Sequence, residues 1–127
     1  MLDGIFNQTN YVAAKKMLDM TALRHEAIAS NLANLETPGY RRIDVAPSFS
    51  AELGRALGSK DPSAIAQLRP SLEIDPLAIP NTRDGNSVQL EHELMQLNQN
   101  TLAHTVESQL ITGALLRLKL AVTGRST

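Results

Sequence analysis

Asn31-Leu32-Ala33-Asn34-Leu35-Glu36-Thr37-Pro38-Gly39-Tyr40 is the stretch where a helical pattern enters and none leaves. Thr37 precedes a proline, whose ring pushes it out of the α region, so a helix is predicted to end at or just before it. Pro38-Gly39 fits the central pair of a type II turn, with glycine at the position that needs a positive φ. Asn31 and Asn34 lie three apart, hence on one face of the last turns, where their amides can bond carbonyls left open at a helix end. Tyr40 follows at once and is a natural anchor for whatever the turn delivers. Proline and glycine after a helix are also ordinary punctuation, so local chemistry leaves a generic terminator open beside a purpose-built turn.

Backward from this stop, Ala14, Met17, Leu18, Thr21, Ile28, Leu32 and Leu35 recur mostly at steps of three and four, which predicts an amphipathic helix from about Tyr11 to Leu35. His25 interrupts the stripe and, without a partner at metal spacing, reads as a packing or surface residue. Leu2, Ile5 and Phe6 form a small apolar cluster ahead of the helix that can pack or be recognised.

Forward from the stop, Pro47, Pro62, Pro70, Pro76 and Pro80 fall between Arg41 and Asn86, which excludes long helices and central strands. The segment is expected to be irregular. Phe49 to Leu57 can make a short amphipathic helix, and Asp61-Pro62 reads as the N-cap and first position of another.

Asp84-Gly85-Asn86 is a turn, and Asn86 with Gln89 resembles a capping box, so a second long helix is predicted to start near Ser87. Leu90, Leu94, Leu97, Thr101, His104, Ser108, Ile111, Leu115, Leu118 and Val122 then alternate steps of four and three, a heptad spacing. The apolar members, Leu90, Leu94, Leu97, Ile111, Leu115, Leu118 and Val122, are the expected helix-packing seam. Thr101, His104 and Ser108 put three polar residues in its middle, either a tolerated imperfection or a brake on indiscriminate coiled-coil pairing. Glu91 and Glu93 near the start, with Arg117, Lys119 and Arg125 near the end, suit the helix dipole. A second row, Met95, Leu102, Val106, Gly113, Leu116 and Leu120, makes the apolar surface wider than a two-stranded seam needs. Val88 to Val122 spans roughly 50 Å at 1.5 Å per residue. The first helix covers only part of that, so this helix wants more than one neighbour.

Composition narrows the class. The chain has 127 residues, one domain by length, and only 3% aromatic content, so a core must come from Leu, Ile, Val, Met and Ala, which favours helix packing. A net charge of −1, from 12 basic and 13 acidic residues interspersed, gives no global basic field for nucleic acid or a membrane surface. The absence of cysteine removes disulfides and thiol chemistry. No apolar run approaches membrane-spanning length. With Asp3 acidic and Lys15 the first basic residue, the N-terminus lacks the pattern of a secretory signal. No catalytic, cofactor-binding or metal constellation rises above background. His92-Glu93 begins like a metalloprotease helix, but Gln96 stands where the second histidine is required. Gly54 and Gly58 lack the lysine of a phosphate loop. Glu91 and Glu93 point to different faces of a helix and cannot share a proton. An enzyme is not expected.

Ile28-Ala29-Ser30-Asn31-Leu32-Ala33-Asn34 followed by Thr37-Pro38-Gly39-Tyr40 resembles the N-terminal signature of the flagellar rod and hook axial protein family. Asp84-Gly85-Asn86-Ser87-Val88 and Val122-Thr123-Gly124-Arg125 resemble its short, proximal rod members, so the likeness covers both ends of the chain. Leu35-Glu36 stands where small and acidic or amide residues are usual, and His104 where tyrosine is common; neither touches the turn. The expected fold is mainly α, with two long terminal amphipathic helices packing as a coiled-coil-like pair or bundle and an irregular Pro-rich middle segment. A single domain is expected, divided into 1–40 (helix and turn), 41–86 (middle) and 87–127 (second helix).

The resemblance implies a structural subunit of the basal-body rod on the periplasmic side, exported by the flagellar type III apparatus without a cleaved signal peptide. Its partners would be copies of itself, other rod proteins, basal-body base components and the export apparatus, with no nucleic acid, cofactor or direct membrane insertion. Asn31, Asn34, Thr37, Pro38, Gly39 and Tyr40 would fix how the chain leaves the inner helical layer. Two sticky helices on one subunit can supply the heterologous, non-closing contacts a rod needs. The alternative is a soluble helical export chaperone or adaptor, which would stay in the cytoplasm, whereas a rod subunit co-purifies with basal bodies.

Overall fold

Helix α1 (Gln8–Ala33) carries the N-terminal stripe, and the chain leaves it through two successive turns. The Thr37 N–H bonds the Asn34 carbonyl at 3.1 Å, and the Tyr40 N–H bonds the Thr37 carbonyl at 3.2 Å. The second turn has Pro38-Gly39 at its centre, and Gly39 takes φ 72°. That is the left-handed value a type II turn requires at its third residue, where a side chain would be strained. The computed structural model describes residues 8–124, so the cluster of Leu2, Ile5 and Phe6, and Arg125, lie outside the described residues.

After the turn come β1 (Ile43–Val45), α2 (Pro47–Ser59), α3 (Pro62–Ala66), β2 (Leu72–Ile74) and α4 (Leu90–Thr123). Pro47 and Pro62 each sit in a first helical turn, where a missing N–H costs nothing. Asp61 caps α3 by accepting the Ser63 N–H at 3.0 Å. The middle is more ordered than its prolines suggest, because β1 and β2 pair antiparallel, with Ile43 opposite Ile74, Asp44 opposite Glu73 and Val45 opposite Leu72.

This middle segment builds the apolar core. Ala13 of α1 meets Val45, Phe49, Leu53 and Ile65, with Val12, Met20, Leu23, Leu57, Leu68 and Leu72 packed around them. Fully burying a side chain such as Phe49 or Ile65 contributes about 1.5–3 kcal/mol. Helix α4 places no residue in that cluster. It runs antiparallel along α1 on other contacts: Asn31 meets Glu93 at one end, and Thr21 meets Asn100 and Glu107 further along. The fold is therefore mainly α, two long helices packed as a pair, as the sequence predicts, but polar residues line their seam.

Two local expectations are corrected. Helix α4 begins at Leu90, and Gln89 makes no side-chain cap bond, so the capping box with Asn86 does not form. The Asn86 side chain is engaged elsewhere, as described next. In α1, Thr21 and Ile28 of the predicted stripe are buried but Met17 is exposed, while His25 lies at the surface, one of the two places its reading allowed.

Candidate functional site

The turn is braced by side chains from both ends of the chain. Asn31 Nδ2 donates to the Ile43 carbonyl at 2.9 Å, and its Oδ1 accepts the Ile43 N–H at 3.0 Å. One amide thus takes both backbone groups of Ile43, standing in for a neighbouring strand. The Tyr40 hydroxyl donates to the same Oδ1 at 3.2 Å and lies 3.0 Å from Ser30 Oγ. Asn34 instead donates to the Ser30 carbonyl at 2.8 Å and accepts from the Thr37 hydroxyl at 3.1 Å. The two asparagines divide the work: Asn34 turns back on a helix carbonyl, whereas Asn31 holds the strand that follows.

The carbonyls left open at the end of α1 go to Asn86. Its Nδ2 lies 2.9 Å from the Asn34 carbonyl, 3.1 Å from that of Leu35 and 2.8 Å from that of Thr37, while its Oδ1 accepts the Val88 N–H at 2.8 Å. Beside it the Gly39 N–H bonds the Asp84 carbonyl at 2.7 Å, and the Ser87 N–H bonds the Tyr40 carbonyl at 3.0 Å. Residues 84–88 are thereby the second wall of the turn.

Beneath the turn lies a buried charge cluster that spacing arguments do not reach. Arg42 has a side chain only 3% exposed. Its Nε donates to Glu93 Oε1, and its Nη1 donates to Asp44 Oδ2 at 2.9 Å and Asp75 Oδ2 at 2.8 Å. Arg24 Nε adds a bond to Asp44 Oδ1 at 3.1 Å. Glu93 is fully buried, and its second oxygen accepts from Asn31 Nδ2 at 3.3 Å. Burial by itself disfavours the Arg42 charge, but the bonds and charges of Glu93 and Asp44 outweigh it and raise its pKa above the ordinary arginine value. Burial likewise works to raise the pKa of Asp44. Bonds from Arg42, the Val45 N–H and Arg24, with the Arg42 charge, hold it below the usual carboxylate range instead. Removing one member of such a cluster leaves an uncompensated buried charge.

From Glu93 the polar seam continues at seven-residue steps. Asn100 Nδ2 donates to the Thr21 carbonyl at 2.8 Å, and the Thr21 hydroxyl donates to Glu107 Oε2 at 2.9 Å. These residues are buried, whereas the apolar heptad row is only partly covered. Leu90, Leu94, Leu115 and Val122 are exposed, Val122 by 75%, and Leu97, Ile111 and Leu118 are half-buried. Met95, Leu102, Val106, Leu116 and Leu120 are exposed beside them. Periodicity located both rows but not which one meets the chain's own first helix. The signal was present in Glu93, Asn100 and Glu107, polar residues repeating at seven within an apolar helix.

A groove of about 630 Å3 opens over the cluster, between Asp75-Pro76-Leu77-Ala78-Ile79 and the first turns of α4, with Arg42, Asp44 and Glu73 among its lining residues. Among the described residues no group of three or more metal-ligating side chains comes together, and no helix is long and apolar enough to cross a membrane.

Two long helices that spend polar residues on each other leave most of the large apolar side chains of α4 exposed, the arrangement of a helical protein with apolar surface left for other helices to cover. The chain is 32% identical over 111 residues to the flagellar basal body rod protein FlgB of Borrelia hermsii, covering 73% of this chain and 80% of that one. It is 30% identical over 114 residues to that of Cereibacter sphaeroides, covering 80% and 84%. With FlgB of Escherichia coli (strain K12) it shares 27% identity over 116 residues, covering 78% and 82%. No family model matches. The chain belongs to the FlgB family of flagellar basal body rod proteins, and the resemblance carried by its turn motif is borne out.

Proposed function

We propose that this chain is a structural subunit of the proximal rod of the bacterial flagellar basal body, needed for flagellum-dependent motility and without enzymatic activity. The observation that carries the reading is the orientation of α4: buried Glu93, Asn100 and Glu107 face α1, while Leu90, Leu94, Leu115 and Val122 of the heptad row are exposed, with Met95, Leu102, Val106, Leu116 and Leu120 beside them. An apolar strip of that extent marks an interaction surface. Each of its large side chains contributes roughly 1.5–3 kcal/mol if assembly buries it fully. Leu90, Leu94, Leu97, Ile111, Leu115, Leu118 and Val122 are the contacts to neighbouring subunits, copies of the chain and other rod and base components. Asn31, Asn34, Thr37, Pro38, Gly39 and Tyr40 fix the exit path of the chain, and residues 41–86 sit outside the helical layer. The names of the FlgB relatives support the rod location; the route there in this reading is the flagellar type III apparatus. The chain works as one unit of 1–40, 41–86 and 87–127.

The test is isolation of basal bodies from cells carrying the tagged chain, alongside a deletion strain. The chain is expected in the rod fraction, and the deletion strain is expected not to swim. A chain that stays in the cytoplasm while the deletion strain swims normally overturns the reading.

A further inference from the structure

The ladder of the two-stranded ribbon has a defined phase. The Ala46 N–H bonds the Ser71 carbonyl at 2.8 Å, and the Asp75 N–H bonds the Arg42 carbonyl at 2.8 Å. With Asp44 opposite Glu73, the hydrogen-bonded pairs are 46 with 71, 44 with 73 and 42 with 75. The intervening residues therefore point their N–H and C=O groups away from the partner strand. On β1 three of the four outward groups are engaged by the chain itself: Asn31 takes both groups of Ile43, and the Val45 N–H donates to Asp44 Oδ1 at 2.7 Å. On β2 the outward residues are Leu72 and Ile74, and their backbone groups meet no partner among the described residues. One edge of the ribbon is largely closed and the other is open.

We infer that the open edge of β2 is a strand-addition site, which takes up a short extended segment of a neighbouring subunit as the third strand of the ribbon. Backbone bonds to Leu72 and Ile74 supply the pairing, the usual basis of recognition by strand addition. Pro70 and Pro76 bracket the strand, so the added segment is only a few residues long. The side chains fix its chemistry. Glu73 is exposed and makes no ion pair among the described residues, and it shares its face with Asp44 and Asp75, whose charges Arg42 and Arg24 already engage. A residue added beside Glu73 is therefore basic. Those added beside Leu72 and Ile74 are apolar, since Ile74 is 49% exposed and shares its face with Ile43 and Val45. Just beyond the strand, Asp75 Oδ1 accepts the Leu77 N–H at 2.9 Å and shapes a turn that presents Leu77 and Ile79, 85% and 76% exposed, as anchors for the same segment. The occupant is an extended stretch alternating basic and apolar residues on another rod subunit. This rests on the reading of the chain as a rod subunit.

The decisive variant is Ile74→Pro, which deletes an outward N–H and no internal bond, compared with Ile74→Ala, which keeps the N–H and deletes the side chain. Basal bodies are isolated from cells carrying the wild type or either variant, and each purified chain is melted to compare folding. The Ile74→Pro chain is expected to melt like the wild type yet to fall in the rod fraction by roughly tenfold or more, as loss of an intersubunit hydrogen bond implies, with Ile74→Ala falling less. Normal incorporation of a folded Ile74→Pro chain overturns the inference. If the wild type is itself absent from basal bodies, the rod reading fails first. Should Ile74→Pro not fold, Ser71→Cys decides, since it lies on the exposed face beside Glu73 and leaves that carboxylate in place: the chain has no other cysteine, so a thiol-linked benzophenone there reports its neighbour in isolated rods. Cross-linking to a basic and apolar segment of another subunit supports the site. Cross-links confined to the same chain, or none, overturn it.

Discussion

Glu93→Gln is the substitution on which the reading of the buried cluster depends most. The two carboxylate oxygens of Glu93 serve different donors, Arg42 Nε on one and Asn31 Nδ2 on the other. A glutamine has one oxygen and one NH2, so whichever way it turns, an N–H group faces a donor and one bond is lost. Arg42 also loses a negative partner while 3% exposed, with water unable to replace it. Losing one partner of a buried charge pair costs about 3–5 kcal/mol. A typical domain has roughly 5–15 kcal/mol in total, so the variant is left marginal. In urea unfolding followed by circular dichroism, with a slope of about 2 kcal/mol/M, the midpoint is expected to fall by about 2 M. The double variant Glu93→Gln with Arg42→Met is expected to lose less than the sum of the single losses, because the partners are in direct contact. A loss below about 1 kcal/mol for Glu93→Gln refutes the reasoning, since a residue so placed cannot be that dispensable if the pair is dry.

Three further outcomes are expected. Gly39→Ala adds a Cβ whose nearest neighbour is the Asp84 carbonyl at 3.9 Å, so there is room. Its cost is the left-handed backbone, about 1–2 kcal/mol, and swimming should fall while export persists; normal swimming with full rods refutes the turn assignment. Asp44 has a folded pKa below its unfolded value of about 3.9, so its contribution is present above about pH 4 and is lost as pH falls through the folded value. Arg42, shifted upward, contributes fully throughout that range, so the urea midpoint should be flat above about pH 5 and drop in acid, less steeply in Asp44→Asn. Replacing Thr101, His104 and Ser108 together with Leu should convert a monomer to associated species in sedimentation, by up to about 1.5–3 kcal/mol per side chain buried, and lower secretion and motility together. An unchanged monomer that swims leaves the three polar residues without that role.

The features legible in the sequence are those whose cause lies within a few residues. Proline after Thr37 and glycine after proline predict both the stop and the φ of Gly39, and Asp61-Pro62 predicts its own helix start. What was illegible depends on partners far apart. Arg42 looks like any basic residue after a turn until Glu93 arrives from 51 positions away. Asn86 fits a local capping box by spacing, yet its Nδ2 serves three distant carbonyls and its Oδ1 takes the Val88 N–H ahead of the helix. The heptad row showed that α4 has an apolar face. It did not show that the chain's own helix takes the polar one, because periodicity gives the angle between two faces and not the direction of either.

Asn86 closes the end of a helix that was made long before it, 52 positions away at Asn34. As the chain emerges in order from its N-terminus, α1 and the Pro38-Gly39 bend are complete in sequence while the last carbonyls of the helix still face water. The clasp therefore belongs to the slow, non-local part of folding, where loop closure must precede any reward. Until residue 86 arrives, the direction in which the chain departs from α1 rests on the bend and on the bonds that Asn31 makes with Ile43 and Tyr40. The stop is written early and locked late.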